Sequence, residues 1–199
     1  EFITSDNPVV YYNQFFSFRK SGSNTGLASK GLQIFFPVSP KHLVVLYDGK
    51  VYGVGSRKSD VVDVSDIRDV EQLNCLQFVS ALENVYFHGK CFPVHQEFRK
   101  SERYRRPQKS HMQVFPGEET DEHRKELLMM SRADVRTELE LSFLRFLKPA
   151  KEWRRAFQAM NPQPAVVVRN EPLMKDHENF MELVDAKRYR PGEFFKYVR

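Results

Sequence analysis

The sequence predicts an α+β protein, a mixed or antiparallel β-sheet with packed helices, and three observations carry that prediction. Aromatic residues make up 13% of the 199 residues, including 17 Phe and eight Tyr, types that favour strands and deep packing. Short apolar runs punctuated by Gly, Pro, Asn and Asp fill the first quarter of the chain. From Ser65 the apolar spacing changes from two to about 3.6 residues, and at Thr137–Phe143 it returns to alternation. With 41% hydrophobic and 29% charged residues the chain can bury a core without staples, which excludes collagen-like, coiled-coil and wholly disordered classes.

Taken in order, Phe2 to Tyr12 reads as strand, turn and strand, starting so abruptly that a fragment or trimmed chain is expected. Ser21–Gly31, with three glycines among Ser, Asn and Thr, reads as a surface loop. Leu32–Pro37 and Leu43–Tyr47 read as strands kept from regular pairing by Pro37 and Pro40, and Asp48-Gly49 as a hairpin turn into Val51–Val54. Ser65 is the expected N-cap of a helix to about Leu82, with Ile67, Val70, Leu73, Leu76 or Gln77, and Val79 on its apolar face. Val85–Phe87 is a short strand, Glu97–Pro116 an exposed connector, and Thr120–Arg132 a helix with acidic residues in its first turn. Thr137–Phe143 reads as a half-buried strand, Ala165–Val168 as another, and Asp176–Val184 as a short helix. The resulting organisation is a core segment over 1–96, a basic connector over 97–117, and a remainder over 118–199 that completes the same domain with a basic C-terminal extension.

The charge balance, 31 Lys and Arg against 26 Asp and Glu, gives +5, which favours a polyanionic partner without requiring one. The excess is local: Asp60–Glu71 holds five acidic residues and one basic, whereas Arg99–Lys109 holds six basic and one acidic. Arg99, Lys100, Arg103, Arg105, Arg106 and Lys109 suit phosphate contacts, and Tyr104 among them offers a stacking face for a base. A solvated linker is the plainer account of the same run. Lys187, Arg188, Arg190, Lys196 and Arg199, with Tyr189 and Tyr197, form a second basic cluster.

Two cysteines without C-x-x-C spacing predict a reducing, cytoplasmic setting, and no apolar run has the roughly 18 residues of a membrane span. Cys75, His88, Cys91 and His95 are residue types that ligate zinc, but their order differs from a zinc finger and Cys75 falls within the expected helix, so no cofactor is assigned. Gly53–Ser59 lacks phosphate-loop spacing and reads as a hairpin end. Trp153 reads as the apolar residue of an amphipathic helix.

The cluster Thr4-Ser5-Asp6-Asn7-Pro8 admits two accounts. Asp supplies a base and Asn and Ser orient a substrate, or Asp and Asn bond their own backbone in a turn that Pro8 ends. The opening Phe2-Ile3-Thr4-Ser5-Asp6-Asn7-Pro8-Val9, followed by Gly31–Lys41 with its Phe-Pro-x-Ser-Pro pattern, resembles an uncharacterised family, domain of unknown function four-two-three-eight. Weaker echoes at Leu73-Asn74, Val85-Tyr86 and Leu141–Phe143 extend the resemblance over roughly 2 to 147. The resemblance implies a longer protein with an N-terminal part absent here, which would also be a partner of this chain. It raises Ser5, Asp6 and Asn7 as candidate catalytic residues, with Lys41 as a companion, and implies no particular reaction.

The expected function is therefore that of an effector that engages RNA or DNA through Arg99–Lys109 and cuts or modifies it near Ser5-Asp6-Asn7. Its alternative is a non-enzymatic interaction module in which that cluster is a structural turn, and a third reading is a zinc-stabilised domain.

Overall fold

The computed structural model describes residues 1–19, 24–55, 59–89, 111–115, 127–131, 139–160 and 167–198. Within them the fold is α+β, with four helices and four small antiparallel sheets. Strands β1 (Thr4–Ser5) and β2 (Val10–Tyr12) open the chain, as their residues predict, and a 3-10 turn at Gln14–Phe16 follows. Next come β3 (Gln33–Ser39), β4 (His42–Tyr47), β5 (Tyr52–Val54), helix α1 (Ile67–Ser80) and β6 (Val85–Tyr86). Strands β7 (His111–Phe115), β8 (Leu127–Ser131) and β9 (Leu144–Phe146) precede helices α2 (Lys148–Gln158), α3 (Glu171–Asp185) and α4 (Phe194–Tyr197).

Strand β3 is the centre of a β2-β3-β4 sheet, and its pairing with β4 corrects the expectation that Pro37 and Pro40 prevent regular pairing. Pro37 sits opposite Leu43, and a bulge between Pro37 and Ser39 absorbs the irregularity. Pairing with β2 stops at Phe35, so Pro37 lies where one side of β3 is already an edge, the place where a strand tolerates a missing N–H. The Asp48-Gly49 turn does form, but β5 leaves it to pair with β9 rather than β4. Asp48 explains the departure. Its buried carboxylate accepts the N–H groups of Gly31 at 3.0 Å and Lys50 at 3.0 Å, which ties the turn to the loop before β3.

Helix α1 is capped by Asp66, one residue later than the expected Ser65, through acceptance of the Arg68 N–H at 2.9 Å. Two other expectations fail on backbone pairing. The apolar run within Thr120–Arg132 is not a helix at Leu127–Ser131 but β8, paired in register with His111–Phe115 of the expected connector. A short apolar run carries no periodicity that separates the two states, and here a partner strand decides. Residues 139–143 alternate in burial as read, with Leu139 and Leu141 buried, yet the strand β9 begins only at Leu144. Of the expected strand at Ala165–Val168, Val168 forms an isolated bridge to Ser29, and 165–166 lie outside the described residues.

The core joins these pieces around aromatic rings. Phe15, Phe16, Trp153 and Phe157 interlock, with Trp153 and Phe157 stacked at 4.9 Å and Phe16 edge-on to Phe157 at 5.4 Å. Ala150, Trp153 and Phe157 recur at helical spacing on α2, which turns this face inward and leaves Lys148, Lys151 and Arg155 outside. Arg154 closes the cluster: its guanidinium donates to the Phe15 carbonyl at 2.7 Å and lies over the rings of Phe18 and Phe146. Tyr52, whose phenol pKa burial pushes far up, accepts the Phe15 N–H and donates to the Gly31 carbonyl, each at 2.9 Å. Gly31 has φ +76°, and a Cβ there would overlap Phe15. Replacing the fully buried Phe157 by Ala empties the middle of this stack, so thermal unfolding of Phe157→Ala is expected to show a loss of about 3–5 kcal/mol. A loss under about 1 kcal/mol would mean that α2 does not anchor the core.

Candidate functional site

The candidate residues Ser5, Asp6 and Asn7 lie between β1 and β2, against the C-terminal end of α1. Their setting follows from an unusual helix face. Asp69, Asn74, Gln77 and Ser80 are buried on α1 together with Leu73, Leu76 and Val79. Buried polar groups need partners, and Asn74 and Gln77 find them in the opening segment of the chain, while Asp69 finds its own in Ser142. Asn74 accepts the Ile3 N–H at 3.0 Å and donates to the Glu1 carbonyl at 2.9 Å. Gln77 accepts the Ser5 hydroxyl at 3.2 Å and donates to the Pro8 carbonyl at 2.8 Å.

Asn7 donates from its side chain to the Ser80 carbonyl at 3.0 Å, one of the carbonyls that the end of a helix leaves open. Its own N–H is held by the Ser5 hydroxyl oxygen at 3.2 Å. Asp6 serves the chain as it leaves the helix. One carboxylate oxygen accepts the Leu82 N–H at 2.9 Å, and the other accepts Glu83 at 2.8 Å and Asn84 at 3.0 Å. The Asp6 N–H in turn reaches the Asn84 carbonyl, extending the short β1–β6 ladder in which Thr4 faces Tyr86 and Ser5 faces Val85. Desolvation works to raise the Asp6 pKa, but the amides of Asn84, Leu82 and Glu83 outweigh it and hold the carboxyl below its ordinary value of 3.8.

Lys41 stands elsewhere. It is exposed at the tip of the β3–β4 hairpin, where its N–H donates to the Ser39 hydroxyl at 3.2 Å, and its side chain does not join the Ser5-Asp6-Asn7 group. The hairpin and the opening strand do meet through the backbone: Phe2 N–H donates to the Pro40 carbonyl at 2.8 Å. Between them lies a pocket of about 310 Å³ walled by Phe2, Pro37, Val38, Pro40, Tyr86 and Phe87, with Thr4, Ser39 and His88 as its polar members. The two segments that carry the family resemblance thus form two walls of one pocket, and β6 and the two residues after it supply the third.

Sequence reasoning missed three contributors. Gln77 falls on the face read as apolar and Asn74 in a motif echo, and nothing local says that either holds backbone. Tyr86, Phe87 and His88 read as the end of a strand, and nothing local says what they face. Ser39 and His42 share a 2.8 Å hydrogen bond across the hairpin tip. The basic residues Arg99, Lys100, Arg103, Arg105, Arg106 and Lys109, with Tyr104 among them, lie outside the described residues, as do Cys91 and His95. Cys75 is half-buried on α1, and His88 is exposed 3.9 Å from the Glu1 carboxylate. Among the described residues no cluster of three His, Cys, Asp or Glu has metal-binding geometry, and no helix is long and apolar enough to cross a membrane.

The Asp6 carboxylate contributes to stability only while ionised. Because its folded pKa is depressed, that contribution is present above the unfolded value and is lost as pH falls through the folded one. Asp6→Ala is therefore expected to melt below the wild type at pH 7, with the gap closing as pH falls below 3.8. Equal melting temperatures at pH 7 would show that the three amide bonds carry no stability.

Comparison with curated proteins and with solved structures finds no match. Residues 1–90 match the model of a family described as a protein of unknown function, DUF4238. The match takes in both motifs, all of α1 and the pocket walls, and it ends before the weaker echo at Leu141–Phe143. Over residues 1–90 this chain is a DUF4238 domain.

Proposed function

We propose that the DUF4238 domain acts as a non-catalytic interaction module that takes an extended, apolar segment of a protein partner into the pocket between Phe2–Thr4 and Pro37–Pro40. One observation carries this reading: Asp6 and Asn7 are spent on backbone atoms of α1 and the loop after it and the Ser5 hydroxyl on the Gln77 side chain and the Asn7 N–H, while the surface beside them is an apolar pocket. A general base or nucleophile needs a lone pair or proton directed at substrate, and Asp6 directs both oxygens at amides of its own chain. Tyr86 and Phe87, each more than half exposed at the pocket, suit an extended peptide, whose alternate side chains enter pockets. A cytoplasmic setting forms part of the proposal, in keeping with two cysteines in 199 residues.

Selection of a random peptide library on the full chain, followed by fluorescence anisotropy, tests it. Selected peptides are expected to be apolar and extended, and to lose about tenfold or more in affinity with Tyr86→Ala or Phe87→Ala while Lys41→Ala leaves them unchanged. Peptides indifferent to both aromatic substitutions would remove the pocket from the function.

Nucleic-acid engagement stands as a second reading because six of the eleven residues Arg99–Lys109 are cationic. Binding to single-stranded RNA or DNA would then fall steeply with salt, with a log–log slope of about −0.7 for each phosphate contacted. No binding at low salt would end this reading.

A further inference from the structure

The β2-β3-β4 sheet has two apolar faces. Val10, Phe35 and Tyr12 point into the core, which leaves the opposite face to Tyr11, Ile34, Phe36, Val44 and Leu46. A sheet with one solvated face normally alternates apolar with polar. Here Phe36, Val44 and Leu46 are 37%, 43% and 59% exposed, and β4 along the edge carries no Lys, Arg, Asp, Glu or Pro. Such a surface marks an interface.

Its size and charge identify the occupant. Three strands of about six residues offer a seat roughly 14 Å wide and 20 Å long, the footprint of one helix of about 13 residues. Helix α3, 15 residues long, matches it. Leu173, Met174 and Met181 on α3 are 40%, 40% and 38% exposed, and Glu171, Glu178, Glu182 and Asp185, with Lys175 as one cation among them, form a mainly acidic ridge beside them. The rim of the sheet is the opposite in sign, with the exposed Lys41 just before β4 and Lys50 just past its other end. One seat, about 280 Å² on these dimensions, falls well short of the roughly 800 Å² per partner of a standard interface, and a two-fold exchange, which uses each chain's sheet and each chain's helix, doubles it.

We infer that two copies of this chain associate about a two-fold axis, each placing its α3 on the outer face of the other's β2-β3-β4 sheet. This goes beyond the peptide pocket, which the exchange leaves to other ligands. Sedimentation equilibrium of the full chain is expected to give a dimer, and Leu46→Glu and Met181→Glu each to weaken it about tenfold or more, with a melting temperature equal to the wild type's at concentrations where both are monomeric, since both side chains are exposed. Should Leu46→Glu fail to fold, Val44→Asp replaces it. Mixing the two variants restores one intact seat, the Leu46→Glu helix on the Met181→Glu sheet, so heterodimers form where neither variant self-associates. A wild-type monomer at all concentrations, a dimer indifferent to Met181→Glu, or a mixture no better than its components each overturns the exchange.

Discussion

The structure depends on helix α1 hydrogen-bonding to backbone rather than only to apolar side chains. Asn74 and Gln77 hold the first eight residues by their peptide groups. On the other flank Gln72 accepts the Glu140 N–H and donates to its carbonyl, and Asp69 accepts both the N–H and the hydroxyl of Ser142. Each of these segments is extended and needs partners for its peptide groups as a strand does. The side chains of one helix supply them in place of a neighbouring strand. An unmet peptide group in such a setting costs about 1–3 kcal/mol, so a handful of amide and carboxylate contacts decides whether residues 1–8 and 139–142 are ordered at all.

That arrangement also assigns the Ser-Asp-Asn-Pro cluster its structural work. Asp6 caps three amides where α1 hands over to β6, Asn7 meets an open carbonyl at the helix end, and Ser5 bridges Gln77 to the Asn7 amide. With β1 so fixed, the Phe2–Pro40 bond sets the hairpin tip beside it, and the pocket exists because both are held. The aromatic core under α2 serves a different need, closing the chain over Phe15 and Phe16 through rings and the Arg154 guanidinium.

Much of this was legible in residues. The β1–turn–β2 opening, α1 and the inward residues Leu139 and Leu141 follow from spacing alone. The misreadings share one cause: a strand is defined by what pairs with it. Leu127–Ser131 became β8 because His111–Phe115 lies alongside it, and residues 139–143 are no strand because α1 holds their amides. Pro37 was compatible with pairing because β2 ends before reaching it. Asp6 and Lys41, grouped by motif, are separated because one closes a helix end and the other a hairpin tip.

By itself the sequence determined the fold class, the position of α1, the turn at Asp6-Asn7 and the resemblance of the first ninety residues to DUF4238, because these rest on local spacing, turn chemistry and motif. Only the tertiary structure decided that the carboxylate of Asp6 and the amides of Asn7, Asn74 and Gln77 are consumed by backbone, and that Phe2, Pro40, Tyr86 and Phe87 share one pocket. A side chain's chemistry is written in its residue type, but whether it faces solvent, substrate or a peptide group more than seventy residues away depends on long-range packing that no local pattern encodes.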